Sequence, residues 1–139
     1  MSYEVLKGKF GKILKLEIID NKPLVSVDVT AFIVKEMKGK HVEFVQYVAF
    51  VYLKLREFNS KNNTLCTMKI ELKDTGIKNF SPKFLKKILT PINQLVNADE
   101  IEVLDKIYVY NLNKYVKQLW KGLKKLFDPI TVAKFVLVN

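Results

Sequence analysis

In Leu14-Lys15-Leu16-Glu17-Ile18 the apolar residues take one side of an extended chain and the charges the other, as in a half-buried strand. The same period of two runs through Val25, Val27, Val29, Ala31 and Ile33, with Ser26, Asp28, Thr30 and Phe32 opposite. It returns in Cys66, Met68, Ile70 and Leu72. Turn chemistry separates these stretches at Asp20-Asn21-Lys22-Pro23, Lys38-Gly39-Lys40 and Asn59-Ser60-Lys61-Asn62-Asn63, where Gly and Asn tolerate left-handed backbone and Pro cannot extend a ladder. The run 41–58 is apolar on nearly all sides, so a buried helix fits it, but its Val, Phe and Tyr content selects a long, bent or bulged strand. Residues 9–73 therefore read as a four-stranded antiparallel meander, because short turns join antiparallel neighbours.

After Asp74-Thr75-Gly76 the period changes. Ser81 is a natural N-cap and Pro82 suits the first helical position. Phe84, Leu85, Ile88, Leu89, Ile92 and Val96 then recur at helical spacing, which predicts an amphipathic helix that Pro91 should kink or restart. Ile107 to Tyr110 reads as a short strand. Asn113 can cap a second helix with Tyr115, Val116, Leu119, Trp120, Leu123, Leu126 and Phe127 on one side, closed by Asp128-Pro129; Ile130 to Val138 reads as a last strand. The expected architecture is a single α+β domain over residues 1–139: the meander, then two amphipathic helices with further short strands.

The 139 residues carry 24 basic and 14 acidic side chains, a net charge of +10. All basic residues but Arg56 are Lys. The charge is not evenly spread. Residues 77–94 hold four Lys and no acid, and 106–127 hold six Lys and no acid, which accounts for the whole net charge. With one Cys (Cys66) and one His (His41), neither an intramolecular disulfide nor a closed Cys/His zinc site can form within the chain. The uncharged run Phe44 to Leu53 is far short of the ~20 residues of a spanning helix, and the first ten residues lack the apolar stretch of a signal peptide. A soluble, cytoplasmic protein is expected, with no membrane role.

A field of Lys without compensating acid suits a polyanion, since phosphates would release counterions on binding. Lys114, Lys117, Lys121, Lys124 and Lys125 on the second helix, with Lys83, Lys86 and Lys87 on the first, are the expected phosphate contacts. If 41–58 is a strand, one face holds Val45, Tyr47, Ala49, Val51, Leu53 and Leu55. The other holds Phe44, Phe50 and Tyr52 with Lys54 and Arg56, an aromatic and basic platform on which unpaired bases could stack. Scarcity of Arg argues against bidentate reading of guanine, so weak sequence preference is expected.

Three segments have an enzyme-like composition. Asp74-Thr75-Gly76 has the string of retroviral-type aspartic proteases, but Lys73 before it and Ile77-Lys78 after it depart from that pattern, and turn chemistry accounts for it. Glu71-Leu72-Lys73 has the spacing of restriction-type nucleases, with Asp28 as an upstream Mg²⁺ ligand; Glu36-Met37-Lys38 repeats that spacing. The acidic patch Asp99, Glu100, Glu102 and Asp105 reads as a solvated segment or a partner for the protein's own Lys. The sequence thus points to a non-catalytic protein without cofactor or bound metal, binding single-stranded nucleic acid, DNA or RNA, through its backbone. The alternatives are a homodimeric interaction or assembly module of a virus or mobile element, and a metal-dependent nuclease.

Overall fold

The computed structural model describes residues 1–98 and 102–138. Helix α1 (Tyr3–Phe10) leads into a hairpin of β1 (Leu14–Ile19) and β2 (Lys22–Asp28), followed by the short helix α2 (Val34–Met37) and the long helix α3 (His41–Asn62). Then come β3 (Cys66–Glu71), α4 (Pro82–Asn97), β4 (Leu104–Tyr110), α5 (Lys114–Leu123), a 3-10 turn (Lys124–Leu126), α6 (Pro129–Val132) and β5 (Phe135–Val138). The strands lie in chain order in one five-stranded sheet. Only β1 and β2 are antiparallel; β2 to β5 run parallel.

The expected antiparallel meander is therefore corrected to a mixed α/β fold with a mostly parallel sheet. Parallel neighbours need a crossover, because the chain must return to the starting edge before pairing again. The run 41–58 supplies that return as part of α3. Its inward residues Phe44, Tyr47, Val51, Tyr52 and Leu55 follow the helical spacing of three, four and seven, and tertiary burial overrides the β-propensity of Val, Phe and Tyr. Of the expected turns, Asn59 to Asn62 belong to α3 and Lys22-Pro23 to β2, and two of the remaining residues terminate helices. Gly39 (φ +81°) follows α2, and Asn63 caps α3 in the left-handed region with its N–H on the Asn59 carbonyl. Left-handed backbone serves a helix C-terminus as well as a hairpin. The Asp20–Asn21 turn does form a hairpin, both residues at positive φ, while Lys22 and Pro23 already pair with β1. β2 ends at Asp28, so Val29, Ala31 and Ile33 leave the strand. Residues 130–134 form α6 and its exit, and the last strand shortens to β5.

Both amphipathic helices form, but the second ends at Leu123 and passes into a 3-10 turn, so Leu126 and Phe127 lie beyond it. Ser81 Oγ accepts from the Phe84 N–H and Asn113 Oδ1 from the Val116 N–H, and α4 runs through Pro91. Asp128 does not simply end α5; its carboxylate caps α6 by accepting from the Thr131 N–H.

Register decides which face each helix covers. Val25, Met68 and Ile107 share a row across β2, β3 and β4, as do Val27, Ile70 and Val109. These rows face the helices. Leu6 and Phe10 of α1, Phe44, Tyr47 and Val51 of α3, and Phe84 and Ile88 of α4 pack with Leu14, Val25 and Cys66 in the larger core cluster. Tyr47 is fully buried and its hydroxyl donates to the Leu14 carbonyl at 2.7 Å; burial pushes its pKa up to about 12. The opposite face carries Lys22, Ser26, Lys69, Lys106 and Tyr108.

At the carboxyl ends of the strands one side chain ties two loops. Asn79, 1% exposed, donates from Nδ2 to the Val29 carbonyl at 2.9 Å and the Phe32 carbonyl at 3.0 Å, and its Oδ1 accepts from the Gly76 N–H at 3.0 Å. Asn79→Leu removes three hydrogen bonds at about 1 kcal/mol each and strands their partners. Urea unfolding should show a loss of about 3 kcal/mol; a loss below ~1 kcal/mol would refute the role given to this side chain. Cys66 begins β3 beneath the helices, 1% exposed, and burial pushes its thiol up to about 12 against the opposing pull of a backbone hydrogen bond. Since the thiolate is the nucleophile, the folded protein should resist an aromatic disulfide reagent at pH 8 and react at once in denaturant.

Candidate functional site

The basic residues expected on the helices are there. Lys83, Lys86 and Lys87 are exposed on α4, and Lys114, Lys117 and Lys121 on α5, with Lys124 and Lys125 in the 3-10 turn after it. Lys114, Lys117 and Lys121 flank Gln118 around a shallow surface depression of about 350 Å³. The aromatic platform does not form. Phe44 is buried edge-to-face against Phe10 and Phe32, Tyr52 is buried, and Phe50 packs edge-on against Tyr3. Lys54 Nζ lies 4.4 Å from the centroid of the Tyr3 ring, and Arg56 lines a separate depression on α3 with Leu53, Glu57, Asn59 and Ser60. A helix sends these residues to several sides, whereas a strand would have aligned them on one.

The nuclease carboxylates do become neighbours, as Asp28 pairs in register with Glu71. Both are engaged in local structure. Asp28 Oδ1 accepts from the Thr30 N–H and hydroxyl, and Glu71 Oε2 accepts from the Lys73 N–H and from Asn111 Nδ2. Among the described residues no group of three or more His, Cys, Asp or Glu could hold a metal ion. Of the acidic patch, Asp99 and Glu100 lie outside the described residues. Glu102 pairs with Lys134, whose ammonium also donates to the Leu104 carbonyl.

A different feature stands out where α5 and Phe127 after the 3-10 turn pack on β4 and β5. Here a second, smaller core cluster of Leu72, Val109 and Val116 is flanked by half-buried Ile70, Phe80, Tyr115 and Phe135. Trp120, Phe127 and Phe135 form a mutually packed aromatic triangle with centroids 4.9–6.0 Å apart, in the range where aromatic pairs attract beyond their area. Helix α3 buries five residues, but α5 buries only Val116 and Leu123. At about 1.5–3 kcal/mol per buried aliphatic side chain, α5 is held by roughly 3–6 kcal/mol of fully buried apolar surface. Leu137, in register with Val109 on the helix-facing side, is 60% exposed. Asn93 Nδ2 of α4 donates to the Leu126 carbonyl at 2.6 Å, linking α4 to the 3-10 turn. The result is an amphipathic, Lys-faced cover resting on an apolar sheet surface that it only partly shields. The apolar spacing of α5 was legible in the sequence. Its partners Val109 and Phe135 were not, because they lie in separate strands whose pairing is non-local.

Residues 15–139 match the family model of the CRAL/TRIO domain, a span that takes in β2 to β5 and all of β1 but Leu14. Among solved structures, the fold is similar to that in the crystal structure of Sfh5, with a TM-score of 0.73 and 20% identity over 93% of this chain and 48% of that one. At that identity the likeness is one of fold, and this chain spans about half the length of that structure. No curated protein matches. CRAL/TRIO domains bind small lipophilic ligands such as phospholipids, not nucleic acids. The match therefore overturns the nucleic-acid-binding reading, and with it the assembly-module and nuclease alternatives and the viral or mobile-element origin. Among the described residues no helix is long and apolar enough to cross a membrane.

If the Asn93–Leu126 link holds the cover, Asn93→Ala should loosen the 3-10 turn selectively. Loss of one hydrogen bond of about 1 kcal/mol corresponds to about fivefold faster amide exchange at Lys124 and Phe127. Amides in α3 should be unchanged; equal acceleration in both places would mean global destabilisation instead.

Proposed function

The chain belongs to the CRAL/TRIO domain family, and from that premise we propose that it binds a lipid, with the acyl chains against the apolar sheet surface beneath α5 and α6. The observation that carries the reading is the family match, which extends over both the sheet and its cover. The geometry supports the location. The sheet offers Ile70, Val109 and Phe135 as an apolar floor, and Trp120 and Phe127 hang over it. The surface depressions around Gln118 and Arg56 lie on helix exteriors, so a chain reaches the floor when the cover lifts. That movement costs less for α5 than for α3, although α1 and α4 each also bury only two residues. Lifting α5 exposes two fully buried residues, while lifting α3 would expose five.

Energetics favour exchange over permanent capture. A lipid in water gains about 0.8 kcal/mol for each CH₂ it buries. A lipid in a bilayer already has its chains out of water, so transfer into the domain is nearly balanced in that term. Opening the cover then dominates the cost, and a weakly held cover makes exchange reversible.

Trp120 is the single tryptophan of the chain and packs against Phe135 at 4.9 Å. Its emission therefore reports directly on the cover. Phospholipids brominated on the acyl chain should quench Trp120 when offered at micromolar concentration, and organic extraction of the purified protein followed by mass spectrometry should recover phospholipid in near-stoichiometric amount. Absence of both quenching and recovered lipid would end this reading. Quenching without recovered lipid would identify a site that empties during purification.

A further inference from the structure

We propose that the end of the domain where α3 and α4 begin is a docking surface for an acidic segment of a partner protein. The sheet brings its parts together. β2 and β3 run parallel, so the chain leaves both at the same end, and the helices that follow start there. Asn79, in the 3-10 turn Ile77–Asn79, ties the two exits through the Val29 and Phe32 carbonyls. The His41 ring meets the Phe84 ring edge-on with centroids 6.3 Å apart, which joins the first turn of α3 to that of α4. The first exit supplies Lys35, Lys38 and Lys40, and the second supplies Lys78, Lys83, Lys86 and Lys87, all of them exposed. Over residues 32–42 and 77–94 the sequence holds these seven Lys against one acid, Glu36, a balance of +6. Among the described residues no carboxylate lies within ion-pair distance of any of the seven; the ion pairs join Lys9 to Glu43, Lys15 to Glu17, Lys61 to Glu57 and Lys134 to Glu102.

Charge complementarity selects an acidic partner, and the setting of the Lys selects a peptide. The positive ends of the α3 and α4 dipoles add to the field, but only within about one turn of the helix, so they reward carboxylates that come close. The Lys stand on a fixed frame, because Asn79 is buried with three hydrogen bonds to the loops around it. Fixed charges suit a partner whose carboxylates are also evenly spaced, since less freedom is then lost on binding. Lys83 and Lys87 stand one turn apart, about 6 Å along α4, and alternate side chains of an extended segment repeat at about 6–7 Å. Ile77, 78% exposed, adjoins Lys78, and Val42, 60% exposed, follows Lys40 by two residues; each offers a separate apolar contact. The buried residues of α3 and α4 belong to the core, so this end presents no continuous apolar stripe of the kind that enters a bilayer. The surface is independent of the lipid site.

Fluorescence anisotropy tests it. The whole chain should bind a fluorescein-labelled peptide of three Glu-Ser-Glu-Leu repeats at micromolar concentration. The same peptide with Gln for Glu should bind at least about tenfold more weakly. Salt at about 0.5 M, where the Debye length falls well below 10 Å, should release the acidic peptide. The triple variant Lys38→Gln, Lys83→Gln, Lys87→Gln should bind it about eightfold more weakly, three exposed ion pairs at about twofold each. Ile77→Ser keeps the charge and should weaken binding about threefold through lost apolar contact. The matched triple Lys22→Gln, Lys69→Gln, Lys106→Gln removes the same charge from the far sheet face and should stay within about twofold of wild type. All substituted residues are exposed, and circular dichroism confirms that each variant is folded. Equal loss in both triples would reduce the effect to net charge and overturn the docking surface, as would no binding of the acidic peptide or equal binding of its Gln counterpart. Vesicles of phosphatidylcholine with about one-third phosphatidylserine are run beside the peptide. If they bind tighter and the Lys38, Lys83, Lys87 triple abolishes that binding, the surface faces a bilayer and the peptide proposal is refuted. Lipid recovered by extraction is read on the same samples: peptide binding confined to this end upholds the surface whether or not lipid is found.

Discussion

The parallel pairing of β2 with β3 is the constraint on which the rest of the fold depends. An antiparallel partner could have been reached through a tight turn. A parallel one obliges the chain to travel the length of the sheet, and α3 makes that journey. Each later strand repeats the step on the same side of its predecessor, so every crossover advances in one direction. Crossovers of one hand that advance in one direction place their helices on one face. The observed packing has that form. Residues of α1, α3, α4 and α5 meet the rows through Val25, Met68, Ile70 and Val109, while the Lys and Tyr of the alternate positions look the other way.

This one-sidedness also grades the strength of the core. The helices α1, α3 and α4 share one continuous cluster, with Tyr47 bonded to the Leu14 carbonyl at its centre. Helix α5 comes last, over the edge of the sheet, and meets a smaller cluster with Val116. Helix α4 also buries only two residues, Phe84 and Ile88, but both belong to the main cluster, to which α5 contributes none.

What was legible in the sequence was local. The caps Ser81 and Asn113 and the helical spacing of the residues after them specified α4 and α5, since both signals lie within a few residues of the element they define. Strand β3 was legible from alternation for the same reason. The direction of pairing was not, because Gly39 and Asn63 carry the same left-handed preference whether they end a helix or turn a hairpin. Once those residues were taken for hairpin turns, the run 41–58 had to be extended, and Phe44, Phe50 and Tyr52 lined up on a surface that α3 does not possess. Helix α1 was missed although Ser2 caps it and Leu6 and Phe10 stand four apart. The Lys of α4 and of α5 are exposed on those helices, but exposed positive charge by itself names no partner. The apolar half of the site, Val109 and Phe135 under Trp120, belongs to elements that only the folded sheet brings together.

Strand order has a consequence for how the molecule is made. With the strands in the sheet in the order of synthesis, each segment leaving the ribosome finds its neighbour already in place. No strand has to wait for a later one or insert between two finished partners. The nascent chain can build its main core from α1 through β4 and add β5 and its cover at the end. Within the sheet β5 pairs with β4 alone, whereas the helical cover beside it also reaches Leu72 and Ile70 and is tied to Asn93 of α4, so strand and cover are unequally bound to what was built before them.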